Sequence, residues 1–229
     1  MFFYYDYYYL ILIVPALLIA MWAQFKVQST FNKYSKMRAA RGYTAAQITR
    51  NMLDENGLYD VSVEGVSGNL TDHYDPKGNV IRLSDSVYNS TSVAAIGVAA
   101  HEAGHAIQYA KGYTPIKLRT AVIPLSRIGS TLSMPLILLG FLFSMRPLVI
   151  GGILLFSLVA LFQLITLPVE FNASRRALEI LEGREYLYGE ELVGARKTLA
   201  AAAMTYVAAL LVSLMQILRL VLLFGRRRR

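Results

Sequence analysis

The chain contains no cysteine, only three histidines and a single tryptophan among its 229 residues. The lack of cysteine excludes disulfide bonds, thiolate metal ligands and a cysteine nucleophile. Charged side chains are also scarce, at 17% of the sequence. With so few histidines, a metal site must either take a carboxylate ligand or use all three of them.

Apolar residues, in contrast, are abundant. Hydrophobic residues make up 55% of the chain, which is too many for an ordinary soluble domain and indicates a membrane protein. The formal net charge of +8 comes from lysines and arginines that lie beside apolar runs, and membrane topology and anionic lipid headgroups explain it. No RNA- or DNA-binding motif is present, so we expect contact with the lipid bilayer and no nucleic-acid partner.

Four long apolar runs divide the sequence, and each is long enough to cross a bilayer core of about 30 Å. The predicted segments are an N-terminal transmembrane anchor at 1–25, a cytoplasmic part at 26–121, a transmembrane hairpin at 122–167, a second cytoplasmic segment at 168–198, and a C-terminal transmembrane helix with a basic tail at 199–229. The cytoplasmic assignment follows the positive-inside rule. We predict a single crossing for the last run, because about 25 apolar residues are too few for two spans. The basic tail at 226–229 would then lie outside, against the rule.

The polar stretch after the first run shows short helix and strand signals. Thr44 and Gln47 form a predicted capping box at the start of a helix. Runs at 61–63 and 80–83 predict strands, and 75–78 predicts a turn before the second of them. These patterns predict a small α+β region with a short sheet.

An H-E-x-x-H motif is formed by His101, Glu102 and His105. Residues four apart share one helix face, so both imidazoles can bind one zinc ion. Glu102 lies close enough to such a metal to take a proton from water as a general base. The alternative is a pair of exposed helical histidines. We interpret the motif as a zinc site, because it falls within a predicted helix and uses two of the three histidines.

A catalytic zinc usually has three protein ligands, so one more is needed. A chain that leaves the His101 helix and crosses the membrane twice returns to the same side, and Glu170 is the first acid after that return. On a helix, Ala173 and Ala177 would lie near the face of Glu170 and allow close packing. We predict Glu170 as the third ligand, with His73 as its main rival.

Two further residues are candidates for contact with substrate. His73 precedes the predicted turn, and it either hydrogen-bonds substrate or the developing oxyanion, or is simply an exposed turn residue. Tyr206 can also donate a hydrogen bond to an oxyanion, although an aromatic at a bilayer interface is the more ordinary role.

Several segments resemble the YugP-type neutral zinc metallopeptidase family of bacterial membranes. HEAGHAIQ and LPVEFNASRRA are the most specific, and LTDHYDPKGNVIRLS, TYVAALLVSL and the Tyr-rich anchor extend the resemblance over nearly the whole chain. More distantly, the chain is similar to the HtpX-type gluzincin membrane proteases, in which a transmembrane hairpin separates H-E-x-x-H from a glutamate ligand. That glutamate opens an E-x-x-A-D pattern, and Ser174 stands here in place of the aspartate.

The resemblance implies a multi-pass protein of the bacterial plasma membrane, mainly α-helical, with four transmembrane helices and a small α+β zincin-like catalytic domain. In HtpX-like proteases an extended edge strand ahead of the metal helix binds the substrate backbone. By analogy, the stretch 79–83, with Asn79, Val80 and Ile81, is expected to pair with a peptide.

The sequence thus predicts a zinc-dependent endopeptidase that hydrolyses peptide bonds at the cytoplasmic membrane face, with Glu102 as the general base. Its substrates would be peptides or membrane proteins, and a membrane-protein partner or an oligomer is an open possibility. The alternative is a non-catalytic membrane adaptor or scaffold, in which His73 closes the fourth position of a structural zinc site.

Overall fold

The computed structural model describes residues 6–225, so the basic tail at 226–229 and the first five residues lie outside the described residues. The helices are α1 (Val14–Tyr34, preceded by a π-helical turn, Tyr9–Ile13), α2 (Ala45–Glu55), α3 (Val93–Ala110), α4 (Thr114–Leu142), α5 (Arg146–Gly183) and α6 (Glu190–Gly225). The strands are β1 (Ser62–Val66), β2 (His73–Asp75) and β3 (Val80–Ser84).

Within the described residues, α1 with its preceding turn, α4, α5 and α6 are long and apolar enough to cross a membrane. The prediction of a mainly α-helical polytopic protein with four such helices and a small sheet is confirmed. With 38 residues at about 1.5 Å each, α5 is about 57 Å long, well beyond a bilayer core of about 30 Å. Glu170 therefore lies on the same uninterrupted helix as the preceding apolar run.

The described chain forms two compact units. The membrane unit contains the described residues up to Gln24, Leu118–Leu167 and the described residues from Thr205 onward. The polar unit contains Phe25–Lys117 and Pro168–Met204.

In the membrane unit, small residues hold α4 and α5 close together. A Cβ added to Gly152 would lie only 2.8 Å from the carbonyl oxygen of Ser133, so glycine is needed at this contact. An ion pair joins the two ends of the unit: Arg219 Nε donates to Asp6 Oδ2 at 2.7 Å, and the guanidinium carbon lies 5.3 Å from the centre of the Tyr9 ring. The pair connects the chain ahead of α1 with the last turns of α6.

In the polar unit, the sheet has the strand order β1-β3-β2. β1 pairs with β3 in parallel, with Ser62 opposite Val80. β2 pairs with β3 antiparallel, with Tyr74 opposite Ile81. The expectation that 79–83 offers an edge to a peptide is therefore wrong, because β3 is the central strand and both its edges are already paired. β2, which the sequence did not predict, is the edge strand opposite β1.

Helices α2 and α3 complete the polar unit. The predicted capping box is present, since the Thr44 hydroxyl accepts from Gln47 N at 3.2 Å and the Gln47 side chain accepts from Thr44 N at 2.9 Å. The Ser92 hydroxyl caps α3 by accepting from Ala95 N at 3.3 Å. Apolar side chains of α2, α3 and β3 are fully buried between them, which fixes α3 against the sheet: Ile48, Met52, Leu53, Ile81, Leu83 and Ile96.

Candidate metal centre

Helix α3 carries the two histidines of the H-E-x-x-H motif. Their one-turn spacing places the ring centres of His101 and His105 4.6 Å apart on one helix face. Helix α5 reaches that face because α3 has a glycine at the crossing. A Cβ on Gly104 would lie 2.6 Å from the carbonyl oxygen of Ala173. The close approach brings Glu170, one turn before Ala173 on α5, to the histidines.

The three side chains form a compact donor group. One ligand atom each from His101, His105 and Glu170 lie within 4.8 Å of one another. Glu170 Oε2 is 3.2 Å from His101 Nε2 and 3.6 Å from His105 Nε2. The Glu170 side chain is only 3% exposed. This arrangement matches a zinc site in both donor chemistry and burial.

The distances between donor atoms test the fit further. A tetrahedral zinc with bonds of about 2.0–2.1 Å separates its ligand atoms by about 3.3 Å. The observed separations of 3.2 and 3.6 Å lie on either side of that value. Two imidazole nitrogens and one carboxylate oxygen also leave a fourth position for water or substrate, as catalytic zinc sites do.

In both imidazoles, the Nδ1 atom makes a contact that orients the ring. His101 Nδ1 lies 3.0 Å from Ser174 Oγ, and His105 Nδ1 lies 3.0 Å from Gln108 Oε1. Each contact leaves Nε2 directed at the carboxylate of Glu170. Ser174 thus makes a histidine contact at the position where the related E-x-x-A-D pattern has aspartate.

Glu102 lies outside the donor group and is held by the sheet. Its Oε2 accepts a hydrogen bond from the backbone N–H of Tyr74 on β2 at 2.9 Å. The carboxylate therefore remains available for proton transfer, while the edge strand fixes its orientation.

The carboxylates of Glu102 and Glu170 give the surroundings of His105 a negative potential. Burial opposes the charged form of His105, but a hydrogen bond that its imidazolium donates to Glu170 and the charges of Glu102 and Glu170 outweigh it and raise the pKa of His105. The same potential that favours a proton on this imidazole favours a bound cation beside it.

A second carboxyl, the half-buried Asp72, lies near Glu102. Asp72 accepts hydrogen bonds from Ser84 N at 2.8 Å and Ser84 Oγ at 2.9 Å, which fasten the loop before β2 to β3. Burial raises the pKa of Asp72, the Ser84 bonds partly offset this, and the charge of Glu102 adds to the rise.

The structure does not bring the other predicted residues into the donor group. His73 is exposed on β2, and its Nδ1 lies 2.9 Å from the carbonyl oxygen of Thr71. Tyr206 belongs to the membrane unit. Asn79 lies in the turn before β3 with a φ of 51°, and Val80 and Ile81 are buried in the sheet.

Sequence reasoning missed two residues of this site, Gln108 and Tyr74. Gln108 lies three positions after His105, and that spacing on a helix was the signal that could have found it. Tyr74 acts through its backbone, on a strand of three residues that no periodicity marks.

Comparison with known proteins identifies the family of the chain. A family model described as "Putative neutral zinc metallopeptidase" matches residues 9–225. The chain belongs to this family. It is 50% identical over 216 residues to the "Putative membrane protease YugP" of Bacillus subtilis (strain 168). The aligned region covers 94% of this chain and 96% of the relative. No solved structure matches.

The family assignment confirms the resemblance inferred from the sequence and gives zinc as the cofactor, for which the donor group is suited. Together with the four apolar helices, it supports the role of a multi-pass membrane protease.

Proposed function

We propose that the chain is a zinc-dependent endopeptidase that hydrolyses peptide bonds at the cytoplasmic face of the bacterial plasma membrane. One observation carries the proposal: His101, His105 and Glu170 form a buried donor group, and Glu102 lies beside them without joining it. A carboxylate next to an open metal position is the arrangement that metallopeptidases use.

The metal would be held by Nε2 of His101, Nε2 of His105 and a carboxylate oxygen of Glu170. Bound there, zinc supplies a Lewis acid that polarises the substrate carbonyl and makes water more acidic. The Glu102 carboxylate accepts the proton of the attacking water and returns it to the leaving amine. The Tyr74 N–H holds one oxygen of Glu102 during both transfers.

The outer edge of β2 is the best place for the substrate backbone. The Tyr74 N–H points to Glu102, so it faces away from β3 and toward the metal centre. The Tyr74 N–H is already bonded to Glu102, so an extended peptide along this edge would pair through the Tyr74 carbonyl, which lies on the same side of the strand, and would lie beside the general base. The substrates proposed are therefore unfolded peptide segments or extended loops of membrane proteins.

The cytoplasmic placement depends on charge. The polar unit contains the basic residues that follow the first span and those that follow the hairpin: Lys26, Lys33, Lys36, Arg38, Arg41, Arg175, Arg176, Arg184, Arg196 and Lys197. The positive-inside rule favours the cytoplasm for both groups.

The adaptor hypothesis required a fourth protein ligand. His73 was the candidate, but it is exposed and lies outside the donor group, so the geometry favours an open site.

The test is a paired measurement of zinc content and peptidase activity on the purified protein in lipid nanodiscs. Glu102→Gln should keep one zinc per chain and lose activity by about 10²-fold or more, because it removes the general base but no ligand. Glu190→Gln, the same change at an exposed position at the start of α6, is the matched control and should keep both properties. Retained activity in Glu102→Gln, or wild-type protein that binds zinc but cleaves no unfolded substrate, would count against the proposal.

A further inference from the structure

We propose that Gln108 is a positioning residue that fixes the ligand His105 in one tautomer, with the proton on Nδ1 and the lone pair on Nε2. The inference extends the proposed function, in which His105 holds the metal, and it concerns how that ligand is prepared before any metal binds.

The observation is a chain of buried hydrogen bonds behind His105. Gln108 Oε1 lies 3.0 Å from His105 Nδ1, and Gln108 Nε2 donates to the Val169 carbonyl at 2.8 Å and to Asn172 Oδ1 at 2.9 Å. Arg176 Nε donates to the same Asn172 oxygen at 2.8 Å. Gln108 is fully buried and Asn172 is 9% exposed, so water does not substitute for these partners.

The direction of every bond in this chain follows from its two ends. A guanidinium can only donate, so Asn172 must turn its oxygen toward Arg176. That oxygen also faces Gln108, which must therefore donate through its amide nitrogen. The Val169 carbonyl can only accept, and it requires the same orientation of Gln108 independently.

The orientation of Gln108 then determines which nitrogen of His105 carries the proton. With its nitrogen committed to two acceptors, Gln108 can offer only its oxygen to His105. Nδ1 of His105 must then carry the proton, and in the neutral ring Nε2 has the free lone pair. Nε2 is the atom that lies 3.6 Å from Glu170 Oε2 in the donor group.

His101 is controlled less strictly. Its Nδ1 contacts the Ser174 hydroxyl, which can donate or accept and so allows either tautomer. The Gln108 chain also joins the two ligand-bearing helices, since Gln108 is on α3 and its partners Val169 and Asn172 flank Glu170 on α5. One buried amide thus sets both the tautomer of one ligand and its position relative to another.

The direct test is the tautomer of His105 in metal-free protein. The chain has only three histidines, so selective ¹⁵N-histidine labelling gives few ring signals, which His73→Ala and His105→Gln variants assign. The test uses a Glu170→Gln background, because the Glu170 carboxylate lies 3.6 Å from Nε2 and would compete for the proton in the metal-free site. At a pH where the rings are neutral, His105 in this background should carry its proton on Nδ1, and adding Gln108→Met, which has similar length and no acceptor oxygen, should remove this preference. His105 protonated on Nε2 in Glu170→Gln would overturn the proposal.

Zinc affinity, measured by competition with a chelator, gives a second readout. Loss of such an outer partner typically weakens metal binding by about 10–100-fold, and we expect this for Gln108→Met. Asn172→Asp keeps an acceptor for both Arg176 and Gln108 and should bind zinc within about 3-fold of wild type, whereas Asn172→Leu should bind more weakly. The Asn172 pair decides the matter if Gln108→Met does not fold.

A matched control separates positioning from general charge effects. Arg176→Met removes the donor at the end of the chain, whereas Arg175→Met removes an exposed neighbour whose partner among the described residues is Glu179, at 3.8 Å. Zinc affinity should fall in the first and not in the second. Equal affinity in wild type, folded Gln108→Met and Asn172→Leu would show that the chain only packs the helices. These readouts do not depend on peptide cleavage, so failure of the proposed peptidase activity would leave their outcome distinguishable.

Discussion

Gly104→Ala is the substitution that most directly tests how the metal centre is assembled. The added Cβ would lie 2.6 Å from the carbonyl oxygen of Ala173 and 3.3 Å from its Cα. An ordinary carbon–oxygen contact is about 3.3–3.6 Å, so the helices must separate by roughly 0.7–1 Å. The obstacle is backbone, which cannot rotate away as a flexible side chain can.

Separation of α3 from α5 should lower both the stability of the fold and the affinity for zinc. Overpacking of this kind costs about 1–3 kcal/mol. Glu170 moves with α5, so its oxygen leaves the 3.2 Å contact with His101 Nε2. Metal–ligand distances tolerate only about 0.2 Å, and we therefore expect zinc affinity to fall by at least about 10-fold.

Chelator competition and thermal unfolding of metal-free protein in nanodiscs measure the two effects separately. Gly151→Ala is the control, because a Cβ on this helical glycine meets nothing within 4 Å and the change should stabilise by about 0.5–1 kcal/mol or be neutral. Wild-type zinc affinity and an unchanged unfolding temperature in Gly104→Ala would refute the claim that this crossing positions Glu170.

Three other predictions follow from the described contacts. His101→Ala and Glu170→Gln should each lose zinc and peptidase activity together, as measured by metal content and cleavage of an unfolded substrate; activity without bound metal would contradict the ligand assignment. Val169 is fully buried next to Glu170, so the bulkier side chain in Val169→Phe should lower both the unfolding temperature and the zinc affinity. Unchanged values of both would show that α5 can shift without affecting the site. Asp6→Asn should lower the thermal stability of wild type but have little effect in an Arg219→Gln background, since the two groups pair with each other; additive losses would argue against the pair.

The sequence was informative where the determinants are local. Capping by Thr44 and Gln47 depends on residues three apart, and the spacing of His101 and His105 places both rings on one helix face. The position of Glu170 could be inferred only through the parity of membrane crossings, which gives a side of the membrane and no distance.

Other features depend on contacts between distant segments, which no local pattern encodes. β2 has only three residues, and its pairing with β3 makes β3 a central strand, which is why the prediction that 79–83 forms an edge strand is wrong. The bond from Gln108 to Asn172 joins residues 64 positions apart, and both amides look like ordinary polar helix residues in the sequence.

The order of synthesis gives the divided metal centre a further consequence. His101 and Glu170 are separated by 69 positions that include all of α4 and most of α5. At about 5–20 residues per second, a ribosome needs about 3–14 s to make that stretch. During this interval the nascent chain carries both histidines of the donor group without the Glu170 carboxylate, so the donor group is incomplete. The proposed protease would therefore complete its metal centre only after all of α4 and most of α5 have been made, and the newly made chain would be inert until then.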